Sequence, residues 1–389
     1  MKSKWATRPL GELVRFSSGG TPSKKRPDYW NGNIPWISAK TLKNERIITS
    51  DLFISEDGLN AGSRIAPLGS ILLLTRGSGL FNDIPMGLVE REVAFNQDIK
   101  CLDSCSEVEN KYIFYWLISL KKYLMAKVGV TGIGAGKFDL DFLQKLEVPI
   151  PSKQERTQIV ALIDAFGDKI ELNRRINDNL QQQLLTLYDE LITAHEVHEQ
   201  VELKTLCAFQ EGYVNPPQTH QEYFDGNIKW LRAVDINESF IIETSRTLTA
   251  IGFESAKKSA LLFQPNTIAI SKSGTIGRIG IIADYMCGNR AVMNISPLHP
   301  IQLPLIYAYL KSKQREFPDI AVGSVQKNLY VSLLEPLQVF LPDAEVVEQF
   351  CDIGYKLLMR MQNNCKENIS LVKIRNALLP KLMSGEIGV

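Results

Sequence analysis

The chain has 389 residues and a formal net charge of +1 at pH 7, and 44% of its residues are hydrophobic and 22% charged. These values exclude a disordered or fibrous protein and suit two globular domains, each long enough to bury its own core. No stretch approaches the roughly 18 apolar residues of a membrane span, so we expect a cytoplasmic protein.

The six cysteines form no CxxC pair, so the sequence predicts reduced, mostly buried thiols rather than disulfides or a zinc site. They are Cys101, Cys105, Cys207, Cys287, Cys351 and Cys365. The four histidines offer no metal spacing beyond His195-xx-His198, and nothing resembles a catalytic dyad. We therefore expect a protein without catalytic activity, cofactor or metal.

Residues 1–151 read as an α+β domain with a curved sheet. Short runs rich in Ile, Leu and Val alternate with Gly, Pro, Asn and Asp clusters, which is typical of strands joined by turns. Apolar positions at helical spacing predict a helix over residues 109–128. Lysine and arginine exceed aspartate and glutamate by four in this segment, whereas residues 152–199 carry an acidic excess of four.

Residues 152–199 are predicted to be one long amphipathic helix, because an apolar residue recurs every three or four positions. The stripe comprises Ile159, Ile163, Phe166, Ile170, Leu180, Leu184, Leu187 and Leu191, with Asn173 and Asn177 in its middle. About 42 helical residues make a rod on the order of 60 Å.

Residues 200–342 repeat the first domain at an offset of roughly 190 to 197 positions. The motif YWNGNIPW at residues 29–36 matches YFDGNIKW at residues 223–230, and each copy closes with a similar segment, LEVPIP and LQVFLP. The second copy has a predicted helix over residues 305–314. Self-similarity over this length indicates two related domains, which we expect to be two similar globules.

Residues 343–389 are predicted to form a second long helix. Its stripe comprises Val347, Phe350, Ile353, Leu357, Met361, Leu371, Ile374 and Leu378, interrupted by Asn364 and Asn368. A single apolar stripe must be buried, so we expect the two helices to pair as an antiparallel coiled coil, with asparagines fixing the register. The alternative is that each helix packs on its own globule or on another protein.

Two similar globules separated by antiparallel helices have a pseudo-two-fold axis, and duplex DNA has matching symmetry. Paired modules of this kind can occupy major grooves about one helical turn apart. Because the two globules differ in sequence, each could recognise a different half-site, with the helices setting the number of unread base pairs between them.

The order globule, helix, globule, helix resembles the specificity subunit of Type I restriction-modification systems. The local matches are PIPSKQER at residues 149–156, DKIELNRRIN at residues 168–177 and LLPKLMSGEI at residues 378–387. The resemblance implies a non-catalytic subunit that binds double-stranded DNA with a bipartite site, two adenine-methylating modification subunits and restriction subunits. A helical adaptor or DNA-binding regulator of the same architecture, without methyltransferase partners, is the alternative.

Candidate DNA contacts follow from the need for hydrogen-bonding side chains at bases and for cations at phosphates. In the first globule they include the basic loop at residues 19–27, whose two glycines we expect to leave the backbone free for contacts with phosphates. The candidates there are Thr21, Ser23, Lys24, Lys25, Arg26, Ser38, Lys40, Thr75, Arg76, Ser78, Asn96, Gln97 and Lys137. Those in the second globule are Arg232, Asp235, Ser271, Lys272, Ser273, Thr275, Arg278, Asn289, Arg290 and Lys327.

Two loops resemble catalytic motifs but lack their essential residues. Asn215-Pro-Pro217 is similar to the NPP-aromatic loop of adenine methyltransferases, yet Gln218 replaces the aromatic residue, so we expect a turn. In Gly132-Ile-Gly-Ala-Gly-Lys137, Phe138 replaces the Ser or Thr that would hold magnesium in a phosphate-binding loop. The paired aromatic residues Tyr29, Trp36, Tyr223 and Trp230 are expected to serve in packing rather than in base stacking.

Overall fold

The computed structural model describes residues 5–132, 134–324 and 326–389, and the chain divides into two compact units. The first unit comprises Met1–Asp168 and Leu371–Val389, and the second comprises Lys169–Ser370. Each unit therefore contains one sheet-based globule together with part of each long helix.

In the described ranges, the first globule contains fourteen short strands and five short α-helices. The strands are β1 (Ala6–Pro9), β2 (Val14–Ser18), β3 (Ile34–Ile37), β4 (Arg46–Ile47), β5 (Phe53–Ile54), β6 (Ile65–Ala66), β7 (Ile71–Leu74), β8 (Arg76–Gly77), β9 (Met86–Val89), β10 (Val93–Phe95), β11 (Ile99–Ser104), β12 (Gly129–Val130), β13 (Gly136–Lys137) and β14 (Glu147–Ile150). The helices are α1 (Leu10–Leu13), α2 (Glu56–Asn60), α3 (Asn110–Ser119), α4 (Lys121–Met125) and α5 (Leu140–Gln144).

Two sheets dominate the first globule. A five-stranded sheet has the order β2-β11-β7-β9-β4 and a four-stranded sheet the order β5-β3-β10-β6. Strand β7 is buried along its whole length, as expected for a central strand made only of Ile and Leu. The single helix predicted over residues 109–128 is instead two helices, because the backbone leaves helical geometry at Leu120, with φ −93° and ψ 1°.

Helix α6 (Lys153–Thr193) follows the first globule and has 41 residues. Its N-terminus is capped reciprocally: Glu155 N donates to Ser152 Oγ at 3.3 Å, and Ser152 N donates to Glu155 Oε2 at 2.9 Å. The segment SKQE thus starts the helix immediately after the proline-containing strand β14.

The described part of the second globule contains eleven strands and four short α-helices. The strands are β15 (Glu199–Glu202), β16 (Cys207–Glu211), β17 (Phe224–Leu231), β18 (Phe240–Ile241), β19 (Thr247–Leu248), β20 (Leu262–Phe263), β21 (Thr267–Ser271), β22 (Ile279–Ile282), β23 (Met286–Gly288), β24 (Val292–Pro297) and β25 (Gln338–Leu341). The helices are α7 (Ala250–Glu254), α8 (Leu303–Lys313), α9 (Phe317–Ile320) and α10 (Val331–Leu334). Helix α11 (Ala344–Met383) follows with 40 residues.

The two globules share one topology. The five-stranded sheet of the second has the order β16-β24-β21-β22-β18, and the four-stranded sheet has the order β19-β17-β23-β20. Each strand takes the place of its counterpart in the first globule, including the parallel pairs β3 with β10 and β17 with β23. The prediction of two similar α+β domains, with one long helix between them and another after the second, is confirmed.

Within the second unit, α6 and α11 pair in antiparallel orientation. Asn173 Nδ2 donates to Asn368 Oδ1 at 2.9 Å, and the Tyr188 and Phe350 rings lie 6.1 Å apart. Residues further along α6 therefore contact residues nearer the start of α11, as two antiparallel helices do. In the first unit, the start of α6 and the end of α11 join the core of the globule through Ile159 and Leu379.

The buried stripe of α11 differs from the predicted one. Ile353 and Ile374 were expected to be buried but are 47% and 48% exposed, whereas Cys351 and Leu358 are buried. The buried face of α11 is thus rotated by about one residue, because Cys351, Leu358 and Leu379 each lie one position after a residue of the predicted stripe.

The other predicted packing residues are buried or half-buried. Ile159, Ile163, Ile170, Leu184, Phe350 and Met361 are buried, and Phe166, Leu180, Leu187, Leu357, Leu371 and Leu378 are half-buried. All six cysteines are free thiols, four of them buried. None of the helices in the described ranges combines the length and hydropathy needed to cross a lipid bilayer.

Candidate nucleic-acid interface

In the first unit, the polar segments predicted to contact DNA meet at one edge, where several strands end. Strands β3 and β10 run parallel, so Ser38 and Asn96 follow them at the same end. Asn96 N donates to Ile37 O at 2.9 Å, and Thr75 N donates to Asp98 O at 2.9 Å. The turn after β10 therefore lies between the ends of β3 and β7, and we call these converging strand ends the recognition edge.

The basic loop after β2 also reaches this edge, where Thr21 Oγ1 donates to Gln97 Oε1 at 2.6 Å. Its glycines have a different role from the predicted one. Gly20 N already donates to Phe95 O at 2.9 Å, and a Cβ at Gly20 would lie 1.7 Å from Gly62 O. The glycine therefore permits close backbone packing, and the expectation that it frees the backbone for phosphates is wrong.

Two predicted contacts at this edge have internal partners instead. Thr75 is buried and its hydroxyl donates to Asp98 O at 3.1 Å. Asn96 is buried too, and its side-chain Oδ1 accepts a hydrogen bond from Asp98 N at 3.2 Å. Since burial removes both side chains from solvent, the structure argues against base contacts by them. Ser38 is half-buried and bonds to Thr41.

Most of the remaining candidates in the first globule are exposed. They are Thr21, Ser23, Lys24, Lys25, Arg26, Lys40, Arg76, Ser78, Gln97 and Lys137. Arg26 pairs with Asp28 at 2.7 Å and lies 4.7 Å from the centre of the Tyr29 ring. Its guanidinium is therefore already neutralised, whereas the lysines at this edge point to solvent without a carboxylate partner within the described ranges.

The second globule builds its recognition edge with the same backbone hydrogen bonds. Asn289 N donates to Leu231 O at 2.9 Å, as Asn96 N does to Ile37 O. Lys272 N donates to Ala291 O at 2.7 Å, which corresponds to the bond from Thr75 N to Asp98 O. The framework is thus repeated while the side chains on it differ.

The repeated tryptophans hold this framework in place. Trp36 Nε1 donates to Gly20 O at 3.1 Å, and Trp230 Nε1 donates to Val214 O at 2.7 Å. Both indoles are only 4% exposed. Their predicted packing role is confirmed, because a buried indole that donates inward cannot stack on a base.

Lys272 and Ser271 are buried, contrary to a role in DNA contact. Lys272 forms an ion pair with Glu211, and Ser271 Oγ accepts from Arg278 N at 2.8 Å. Burial alone would raise the pKa of Glu211, but hydrogen bonds from Lys272 and Tyr213 hold it below the ordinary value. The Lys272 ammonium is therefore matched by a carboxylate that stays ionised at neutral pH.

Arg232 and Asp235 also have internal partners. Arg232 N donates to Asp235 Oδ2 at 2.9 Å, and Arg232 Nη2 donates to Ser245 Oγ at 2.5 Å. Ser245 N in turn donates to Asp235 Oδ1 at 2.9 Å. The Asp235 side chain is only 4% exposed. Both residues close a turn after β17, and their contact with DNA is not supported.

The other candidates in the second globule remain accessible. Thr275, Arg290 and Lys327 are exposed, and Ser273, Arg278 and Asn289 are half-buried. Asn289 Oδ1 accepts from Ala291 N at 3.0 Å, and Lys327 Nζ donates to Pro318 O at 3.2 Å. Arg290 occupies the position that Gln97 has in the first globule, so the two edges offer different hydrogen-bonding groups.

Sequence reasoning missed one residue near the second edge. Arg246 Nη1 donates to Gln218 Oε1 at 2.5 Å and its guanidinium lies 4.1 Å from the Phe224 ring centre. No motif marks Arg246, because its partners are not adjacent to it in the sequence: Gln218 lies in a turn and Phe224 begins β17. The residue equivalent to Lys137 is Asn328, since Phe138 N donates to Thr75 O and Leu329 N donates to Lys272 O, each at 2.9 Å.

The two loops that resemble catalytic motifs are turns in the described ranges. His220 N donates to Pro217 O at 3.2 Å, which closes the turn after Asn215-Pro-Pro217. Thr131 N donates to Ala135 O at 2.8 Å in the hairpin between β12 and β13. Ile133 of this second loop lies outside the described residues, as do residues 1–4 and Val325.

The two globules of shared topology, each followed by a long helix, define a protein built from two copies of one module. A family profile described as Type I restriction modification DNA specificity domain matches residues 2–182 and 196–353. The chain therefore belongs to this family and is a Type I restriction-modification specificity subunit, a DNA-recognition component that is not itself catalytic.

Two curated relatives and one solved structure are similar to this chain over nearly its whole length. The chain is 26% identical to the MjaIX specificity subunit of Methanocaldococcus jannaschii over 99% of this chain and 94% of that one. It is 24% identical to the HindI specificity subunit of Haemophilus influenzae over 99% of this chain and all of that one. The crystal structure of an S subunit from M. genitalium has the same fold, with a TM-score of 0.52, 17% identity and coverage of 98% and 96%.

Proposed function

We propose that this chain reads a split, asymmetric DNA target, with each globule addressing one half-site. We further propose that it binds two adenine-methylating modification subunits, joined by restriction subunits for cleavage. The observation that carries the proposal is the repeated recognition edge: one backbone framework occurs twice and displays different exposed side chains.

The framework supports one binding geometry for both globules. Asn96 and Asn289 each follow a strand that pairs in parallel with its neighbour, and each backbone amide bonds to the end of that neighbour. Rigid strands position base-contacting side chains more accurately than long loops do. Each globule would therefore present its edge to the DNA in a similar way.

The exposed side chains at the two recognition edges favour different bases. Gln97 in the first globule can pair with adenine through its amide, whereas Arg290 at the equivalent position can donate two hydrogen bonds to guanine. Such differences between two copies of one framework would give an asymmetric target. A symmetric target would require the same residues twice.

The proposal is tested by coexpressing the chain with the modification subunits of its host in a strain without adenine methylation, followed by sequencing of methylated positions. We expect adenine methylation at one sequence made of two unlike parts separated by unread base pairs. A control expression of the modification subunits alone should give none. Methylation of a continuous or palindromic sequence, or of no sequence, would contradict the proposal.

A further inference from the structure

Two basic residues lie directly opposite each other at the recognition edge of the first globule. Arg76 of β8 and Lys137 of β13 are partners in an antiparallel pair, and both are exposed. Opposite residues on one face of such a pair have their Cβ atoms about 4.5–5.5 Å apart, and like charges there are destabilising. The fold therefore holds two positive charges together at a cost.

No carboxylate offsets this cost. Within the described ranges, neither the Arg76 guanidinium nor the Lys137 ammonium has a carboxylate at ion-pairing distance. Two other cations at the edges do have one, since Arg26 pairs with Asp28 and Lys272 pairs with Glu211. The exposed lysines of the basic loop share with Arg76 and Lys137 the lack of a carboxylate within the described ranges, but the structure pairs none of them with a second cation across two strands. Proteins break such a local rule mainly at functional positions. Two neighbouring positive charges without a carboxylate indicate a site that binds an anion.

The second globule lacks this pair at the same positions. Phe138 N donates to Thr75 O at 2.9 Å, and Leu329 N donates to Lys272 O at 2.9 Å. These two bonds make Thr75 equivalent to Lys272, and Phe138 equivalent to Leu329. Arg76, which follows Thr75, therefore corresponds to Ser273, and Lys137, which precedes Phe138, corresponds to Asn328. Both residues of the second globule are uncharged, so the positive pair is a property of the first globule alone.

We propose that Arg76 and Lys137 together bind one backbone phosphate of the DNA, and that the second globule has no equivalent phosphate site. This inference rests on the proposed function. A planar guanidinium matches two phosphate oxygens, and an adjacent ammonium adds a point charge. The first globule therefore carries a larger part of the salt-dependent, sequence-independent affinity than the second.

The test uses the full chain assembled with its modification subunits and a duplex that carries the methylated sequence. Binding is measured over a range of salt concentrations for the wild type and for the double variant Arg76→Gln/Lys137→Gln. In a plot of the logarithm of the association constant against the logarithm of the salt concentration, each neutralised phosphate contributes a slope of about −0.9. We expect the slope to become shallower by about 1 and the affinity at 0.1 M salt to fall about 8-fold.

Two further variants keep the test decisive. Lys122→Gln/Lys145→Gln removes two exposed lysines outside the recognition edge and should leave the slope unchanged. Ser273→Arg/Asn328→Lys transfers the pair to the second globule and should steepen the slope by about 1. The melting temperature of Arg76→Gln/Lys137→Gln should stay the same or rise, because the repulsion is removed.

The outcomes separate this proposal from the function on which it rests. If the assembly methylates one split sequence but Arg76→Gln/Lys137→Gln keeps the wild-type slope, the phosphate site is wrong and the function stands. If this variant changes which sequence is methylated, the two residues contact bases and the proposal is overturned. If the wild-type assembly methylates nothing, the proposed function itself fails.

Discussion

Asn364 Nδ2 donates a 2.8 Å hydrogen bond to Asn177 Oδ1 inside the helix pair of the second unit. Both asparagines are buried, and Asn177 Nδ2 also donates to Met361 O at 3.1 Å. A buried polar pair costs stability relative to an apolar one, but it is satisfied only when the helices have the correct register. These two residues therefore specify how α6 and α11 align.

A double-mutant cycle tests this role. Asn364→Leu leaves Asn177 Oδ1 buried without a donor, so we expect the free energy of unfolding to fall by about 1–3 kcal/mol. Asn177→Leu/Asn364→Leu removes both polar groups and should cost less than the sum of the single variants. Urea denaturation measures all three. Additive costs would show that the hydrogen bond does not couple the two side chains.

A second prediction follows from the rotation of α11. Leu358 is fully buried, whereas Ile353, which the apolar pattern placed in the core, is 47% exposed. Leu358→Ala should destabilise the protein by about 2–5 kcal/mol, because it leaves a cavity. Ile353→Ala should change stability by no more than about 0.5 kcal/mol. Thermal and urea unfolding provide the comparison, and equal losses would contradict the buried stripe described above.

A third prediction concerns acid stability in the first unit. Arg156 is buried, and its Nε donates to Glu109 Oε2 at 2.9 Å. Desolvation is the largest single effect and opposes ionisation of Glu109, but the hydrogen bond from Arg156, a backbone hydrogen bond and the positive charge of Arg156 together outweigh it, so the pKa of Glu109 lies below its ordinary value. A carboxyl group with a lowered pKa stabilises the fold above its unfolded pKa, and this contribution is lost as the pH falls through the folded pKa.

We therefore expect Glu109→Gln to lower the melting temperature at pH 7 and to have a smaller effect below the ordinary glutamate pKa of about 4.3. Melting curves of wild type and variant from pH 7 to pH 3 test this. Glu147→Gln is a matched control, because Glu147 is exposed and has no ion pair within the described ranges. A loss for Glu109→Gln that is the same at every pH would contradict the ion-pair explanation.

A fourth prediction concerns which half of the DNA target each globule recognises. Gln97→Ala should relax the sequence preference in one half of the methylated target only, and Arg290→Ala in the other half only. The loss of a good base contact costs about 1–3 kcal/mol of discrimination. Methylation of a randomised target pool by each assembled variant measures the preference. Either substitution changing both halves equally would contradict the one-globule, one-half-site assignment.

The amino-acid sequence alone predicted the repeat, both long helices and the packing role of Trp36 and Trp230. These features depend on local or periodic patterns: apolar spacing sets a helical face, and YWNGNIPW with YFDGNIKW marks the same turn twice. The asparagines in the middle of the stripe at residues 173 and 177 also indicated a polar layer between paired helices.

Other features were decided only by the tertiary structure. The burial of Thr75, Asn96 and Lys272 depends on partners that are far away in the sequence, such as Glu211 for Lys272. The pairing of Arg76 with Lys137 depends on the register of two short strands that are separated by residues 78–135 of the chain. The spacing of apolar residues indicates which face of a helix or strand is buried. Contacts between segments that are distant in the sequence are determined by the packing of the whole domain. The role of a polar residue therefore depends on the tertiary structure.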